Sequence, residues 1–218
     1  MNSIESCIEE IKVISSEGKG RAFVVLYDDA IYTDYAESIS QSLKEKSRVI
    51  VISSPTVNST NWKGLSQKLL QQLDQLAVRQ ASLVGFGSAS SLAQYLALSE
   101  IKLVRSLVLI DATCRPHPNW RDRLIDRLEG ALPLGLPFRS STEGFDSKPF
   151  LQRVRCPVLL ALTKDADIFV RSQVAEMEKV LPTAWMIELD RANQSAHLSK
   201  LVEEFQDVPV KCPQKNLA

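Results

Sequence analysis

The run Ser82-Leu83-Val84-Gly85-Phe86-Gly87-Ser88-Ala89-Ser90 decides the fold. Ala81 to Gly85 is an apolar stretch of strand length, and Gly85 and Gly87 allow the chain to turn sharply after it. A helical stretch follows, and then a second apolar run, Leu103 to Ile110. The same alternation continues outward in both directions. Ala22 to Leu26, Val49 to Ser53, Val158 to Leu162 and Trp185 to Leu189 read as further strands, preceded by an alternating stretch from Cys7 to Ile14 and a turn at Gly18 and Gly20. Between them Tyr35, Ile39 and Leu43 recur at helical spacing, as do Leu65, Leu69, Leu73 and Leu76, and later Val170, Val174, Met177 and Leu181. Each stripe reads as the core-facing side of a helix. Strands alternating with helices predict an α/β domain, a mostly parallel central sheet with helices on both faces.

One segment departs from this rhythm. Ala112 to Cys156 gathers Pro116, Pro118, Pro133, Pro137 and Pro149, five of the ten prolines, around a stretch in which Trp120, Leu124 and Leu128 share a face. It reads as an insertion over the sheet of a single domain spanning residues 1–218. The tail from Gln206 to Ala218 holds Pro209 and Pro213, lacks periodicity, and is expected to fray or drape over the surface.

Composition narrows the function. Twenty-six Lys and Arg balance 26 Asp and Glu, so the formal net charge is zero. That removes the electrostatic attraction behind most nucleic-acid and acidic-membrane binding, and neither partner is expected. No apolar run approaches the roughly 20 residues that span a bilayer. Glu5, Glu9 and Glu10 stand where a signal peptide needs positive charge, so a cytoplasmic location is expected. Cys7, Cys114, Cys156 and Cys212 form no C-x-x-C pair and read as reduced thiols. His117 and His197 are the only histidines, far apart in sequence, so no metal site is expected; Gly85-Phe86-Gly87 lacks the third glycine of a dinucleotide fingerprint, so no cofactor is expected either.

Ser82 to Ser90 and the following Val104-Arg105-Ser106-Leu107-Val108-Leu109-Ile110-Asp111-Ala112 resemble the α/β-hydrolase superfamily, in which a strand ending in G-x-S-x-G turns into a helix. Arg153 to Leu160 resembles that family's strand before the catalytic acid, Asp167-Ile168-Phe169-Val170 its acid loop, His197 to Phe205 its last helix, and Ala112 to Cys156 its cap. The resemblance places the nucleophile at Gly87, with Ala89 in place of the second glycine, the acid at Asp167 and the base at Gln194. Glycine has no side chain to attack with, and glutamine accepts no proton at neutral pH. Where many members carry His-Gly before an oxyanion donor, this chain reads Tyr27-Asp28-Asp29, and carboxylates there oppose a developing negative charge. Asp28 and Asp29 also read as caps of the helix through Tyr35 to Leu43.

A displaced set supplies all three residue types: Ser88 one position beyond the elbow tip, Asp167 in the usual acid position, and His197 three residues past the usual base. Each has a plainer reading. Ser88 is an N-cap for the next helix, His197 opens a helix, and Asp111, a second possible acid, caps or turns the chain. Three functions follow. The first is a non-catalytic protein that binds a small apolar ligand in a pocket beneath the cap, lined mainly by apolar groups near Tyr27, Phe86 and Gly87, with Tyr27, Asp28, Ser88, Asp111 and Gln194 as orienting groups. The second is a protein-interaction module docking through Trp120 and Phe138. The third is an atypical esterase or thioesterase using Ser88, Asp167 and His197.

Overall fold

A computed structural model describes residues 11–28, 30–54, 61–115, 145–189 and 194–206. Its strands are β1 (Lys12–Glu17), β2 (Arg21–Tyr27), β3 (Ser47–Ser53), β4 (Ala81–Phe86), β5 (Val104–Ile110), β6 (Val158–Leu162) and β7 (Ala184–Glu188). They form one sheet in the order β1-β3-β2-β4-β5-β6-β7. Only β1 runs antiparallel, against β3; every other neighbouring pair is parallel. The sequence pattern accounts for the order. β4 and β6 are apolar almost throughout and buried at every position, as strands covered on both faces must be. β1 alternates and is largely exposed, which suits an edge.

The helices are α1 (Thr33–Leu43), α2 (Trp62–Gln75), α3 (Ser90–Ser99), α4 (Ile168–Val180) and α5 (Gln194–Gln206). Side chains alternate across β4, so Leu83 joins one core while Val84 and Phe86 join the other. The first core is closed by Leu65, Leu69 and Leu73 of α2, Leu92 and Leu96 of α3, and Val174 and Met177 of α4. The second is closed by Ala36, Ile39 and Leu43 of α1 with Leu198, Val202 and Phe205 of α5. A three-layer sandwich results, with the ends of four parallel strands opening toward one crevice.

Of the cap expected from Ala112 to Cys156, the described flanks belong to the body of the fold. Ala112, Cys114, Leu151 and Val154 are buried in the first core, and a 3-10 helix at Lys148–Arg153 lies between them. The Cys114 carbonyl accepts the Ser147 N–H at 2.9 Å and the Lys148 N–H at 3.3 Å. Trp120, Leu124, Leu128 and Phe138 lie outside the described residues, as do Asp29 and the tail beyond Gln206. No helix among the described residues is long and apolar enough to cross a membrane.

Candidate functional site

The site begins with the turn between β4 and α3. Gly87 adopts φ +49°, in the left-handed region that side chains disfavour, and starts a 3-10 turn leading into α3. Gly85 has a different reason to be glycine. A Cβ built there lies 2.8 Å from Ser90 Cα and 3.2 Å from Ala93 Cβ, so α3 packs on the strand only because that side chain is missing. The result is a tight elbow whose tip faces the carboxyl ends of the strands, where open α/β sheets place their crevices.

Tyr32 fills the space in front of the tip. A Cβ on Gly87 lies 2.8 Å from Tyr32 Cε2 and 3.3 Å from Tyr32 Oη. The ring is fixed by Phe86 beneath it, with centroids 5.2 Å apart, and by Tyr35 at 6.4 Å. Ser88 is not the cap expected of it. The residue preceding α3 is Ala89, with no side-chain cap bond, and the Ser88 hydroxyl instead donates to the Asp28 carboxylate across the elbow. Asp28 is likewise not the cap of α1, because a 3-10 turn at Ala30–Tyr32 intervenes and the cap position falls on Tyr32, whose side chain makes no cap hydrogen bond.

Asp111 closes the opposite wall at the end of β5. It has φ +48°, a left-handed conformation that aspartate tolerates better than most residues, and it is only 7% exposed. Its carboxylate accepts the Thr163 N–H at 2.8 Å and the Thr163 hydroxyl at 2.7 Å, tying β5 to the loop after β6. Burial pushes its pKa above the ordinary carboxylate value, against the pull of Thr163 and of the Arg171 charge. Asp167, read from the sequence as the acid, accepts the Val170 N–H at 2.7 Å and caps α4. Gln194 is held from α1, its amide oxygen accepting the Tyr35 hydroxyl at 3.2 Å. The Tyr35 phenol is raised in pKa by burial and then by the charges of Asp111, Asp165 and Asp34.

Between these groups lies a cleft of about 440 Å³. Asp28, Gly87, Ser88, Asp111 and Asp167 line it, joined by Tyr32, Tyr35, Thr113, Thr163 and Asp165. Three expected lining residues stand elsewhere. Phe86 is fully buried on the α1 side of the sheet, Tyr27 packs on that same core, and Gln194 is bonded behind Tyr35. His197, in the opening turns of α5, is half-buried and does not line the cleft; among the described residues no hydrogen bond joins it to Ser88 or Asp167. Carbon makes up the larger share of the wall, from the tyrosine rings, Ile31, Ala166 and Val170. No group of three or more histidine, cysteine, aspartate or glutamate side chains among the described residues converges tightly enough to hold a metal ion.

Sequence reasoning missed Tyr32, Thr113, Thr163 and Asp165, and it placed Tyr35 and Val170 in core stripes. The usable signal was position. Thr113, Thr163 and Asp165 follow the carboxyl ends of parallel strands, and Tyr35 and Val170 sit at the start of helices that leave the same edge.

No protein-family model matches the chain, and no curated protein matches its sequence. Solved structures do match. A meta-cleavage product hydrolase from Pseudomonas fluorescens is 15% identical with a TM-score of 0.69, covering 90% of this chain and 93% of that one. An enol-lactonase from Burkholderia xenovorans is 15% identical with a TM-score of 0.66, over 91% and 96% of the two chains. A thermophilic esterase from Thermogutta terrifontis is 15% identical with a TM-score of 0.69, over 91% and 93%. Likeness at this level is likeness of backbone, and the chain has the α/β-hydrolase fold.

Proposed function

We propose that the protein uses this fold to bind a small molecule in the cleft beside Gly87 and does not hydrolyse it. The observation that carries the reading is Tyr32. Its ring stands within 2.8 Å of where a nucleophile's Cβ would sit, so the elbow has no room for the group that the fold elsewhere presents there. The other parts agree. Gln194 stands at the base position, bonded to Tyr35; Asp167 is committed to the α4 cap; and the Asp28 carboxylate lies against Ser88, where an oxyanion needs donors. Without nucleophile, base or oxyanion hole, binding is what the crevice retains. A cytoplasmic location belongs to the same proposal, in keeping with Cys114 and Cys156, which are buried and unpaired.

The test is hydrolysis of short-chain p-nitrophenyl esters and thioesters, together with labelling by a fluorophosphonate, which marks reactive serines. We expect neither turnover nor labelling. Turnover that disappears in both Ser88→Ala and His197→Ala would overturn the proposal in favour of a displaced triad of Ser88, Asp167 and His197.

A further inference from the structure

The charge of the cleft specifies its guest further, on the premise that the cleft binds rather than hydrolyses. Asp28, Asp111, Asp165 and Asp167 all line it, and no lysine, arginine or histidine does among the described residues. Arg171 and Lys164, close by in sequence, are bonded outside the recess. Arg171 donates to the carbonyls of Ala166 at 3.0 Å, Thr163 at 3.2 Å and Lys164 at 3.1 Å, and to Glu188 at 2.8 Å; Lys164 pairs with Glu188 at 3.7 Å. Both lie outside the lining. Acidic side chains alone would not make a site. Here they line a recess of about 440 Å³ whose remaining wall is carbon, including two tyrosine rings held in place by Phe86.

We propose that the cleft takes an organic ammonium ion, its charged head facing Asp28, Asp111 and Asp165 and its short apolar body against Tyr32, Tyr35 and Val170. Three features favour an organic cation over a metal ion. The carboxylates do not gather closely enough to hold a metal ion. Tyrosine faces attract an ammonium head and also cover an alkyl body. Asp111 is 7% exposed, with Thr163 on both oxygens, and the Arg171 charge that acts on it is itself bonded to Glu188 and to three carbonyls, so a cation in the recess would add countercharge to a partly desolvated carboxylate. Ile31 and Ile168, 69% and 87% exposed, add apolar surface, the first in the lining and the second next to Asp167.

The experiment compares butylamine, butan-1-ol and butyrate, which share a tail and differ in head charge, by ligand-observed NMR or calorimetry on the full chain. Butylamine is expected to bind about tenfold more tightly than either of the others, the scale of one partly buried charge pair. Raising the salt from low to high is expected to weaken it. Asp165→Asn, at an exposed position, and Asp111→Asn are each expected to weaken butylamine severalfold more than they weaken butan-1-ol. Equal or tighter binding of butyrate or butan-1-ol would overturn the cationic guest but leave the binding role standing. Undiminished butylamine binding in both variants, or no binding of butylamine, would overturn it as well. Ester turnover would remove the non-hydrolytic premise by a separate readout.

Discussion

The elbow after β4 and the loop after β6 have kept opposite things. At the elbow the backbone geometry holds with no side chain at the tip: Gly85 lets α3 press onto the strand, and Gly87 holds φ +49°. In the loop after β6 a side chain that the sequence reads as an acid serves the backbone: the Asp167 carboxylate accepts the Val170 N–H, and His197 lies outside the cleft. The difference shows what holds a residue in place. Elbow geometry is demanded by packing between strand and helix, so it persists whether or not chemistry is done there. A carboxylate at the start of a helix is demanded by the helix itself, through capping and the dipole, and persists for that reason.

Substitutions at Gly85, Gly87, Asp167 and Asp111 break or sharpen this contrast. Gly85→Ala is expected to have the largest effect on stability, about 2 to 3 kcal/mol, because the new Cβ meets Ser90 backbone at 2.8 Å and the helix must move; a lowered midpoint in urea unfolding at unchanged slope is the check. Gly87→Ser is expected to cost about 1 to 2 kcal/mol for the left-handed backbone and the Tyr32 contact. It should yield no ester hydrolysis even when combined with Gln194→His, and measurable turnover in that double variant would mean that the elbow is still a working site.

Asp167→Ala is expected to cost about 1 kcal/mol, whereas Asp167→Asn, which still accepts from Val170, should cost little. Equal losses in both would show that the charge, and not the cap, is what the position needs. Asp111→Asn is expected to have the smallest effect and to show it as a pH dependence. The folded state holds the Asp111 proton more tightly than the unfolded chain does. Its contribution is therefore fully present below the unfolded pKa and fades as pH rises through the raised folded value. Relative to the asparagine variant, the unmodified protein should lose stability across that window, as read from paired unfolding curves at stepped pH.

The sheet was legible in the sequence because each strand is an apolar or β-branched run with a helical stripe after it, and burial on both faces leaves few other uses for such runs. Gly85 and Gly87 were legible for a similar reason, since a turn that tight tolerates few residues. The cleft was less so. Asp28 and Ser88 each had a local reading as a helix cap, and each was drawn instead into a contact across the elbow between residues far apart in sequence. Local preference had no access to that pairing. Tyr35 carries the period of a core stripe and lies on it, yet its ring reaches past the end of the sheet to the cleft on one side and Phe86 on the other. Periodicity reports which face of a helix is covered, and the crevice begins where that cover ends.

The anchorage at Cys114 has a consequence for how this architecture can vary. The described flanks, Thr113–Cys114 and Ser147, are bonded to each other: the Cys114 carbonyl accepts the Ser147 N–H, and the buried Gln94 amide holds both sides, its nitrogen donating to the Thr113 carbonyl at 3.1 Å and its oxygen accepting the Ser147 hydroxyl at 2.5 Å. A polymer joined at its base pays for added length only logarithmically, about 0.6 kcal/mol for each doubling. The bonds at the base are therefore largely independent of how many residues lie between them, and Gln94, in the middle of α3, makes two of them: its replacement by leucine would remove both at once and leave the Ser147 hydroxyl with the Cys114 carbonyl alone.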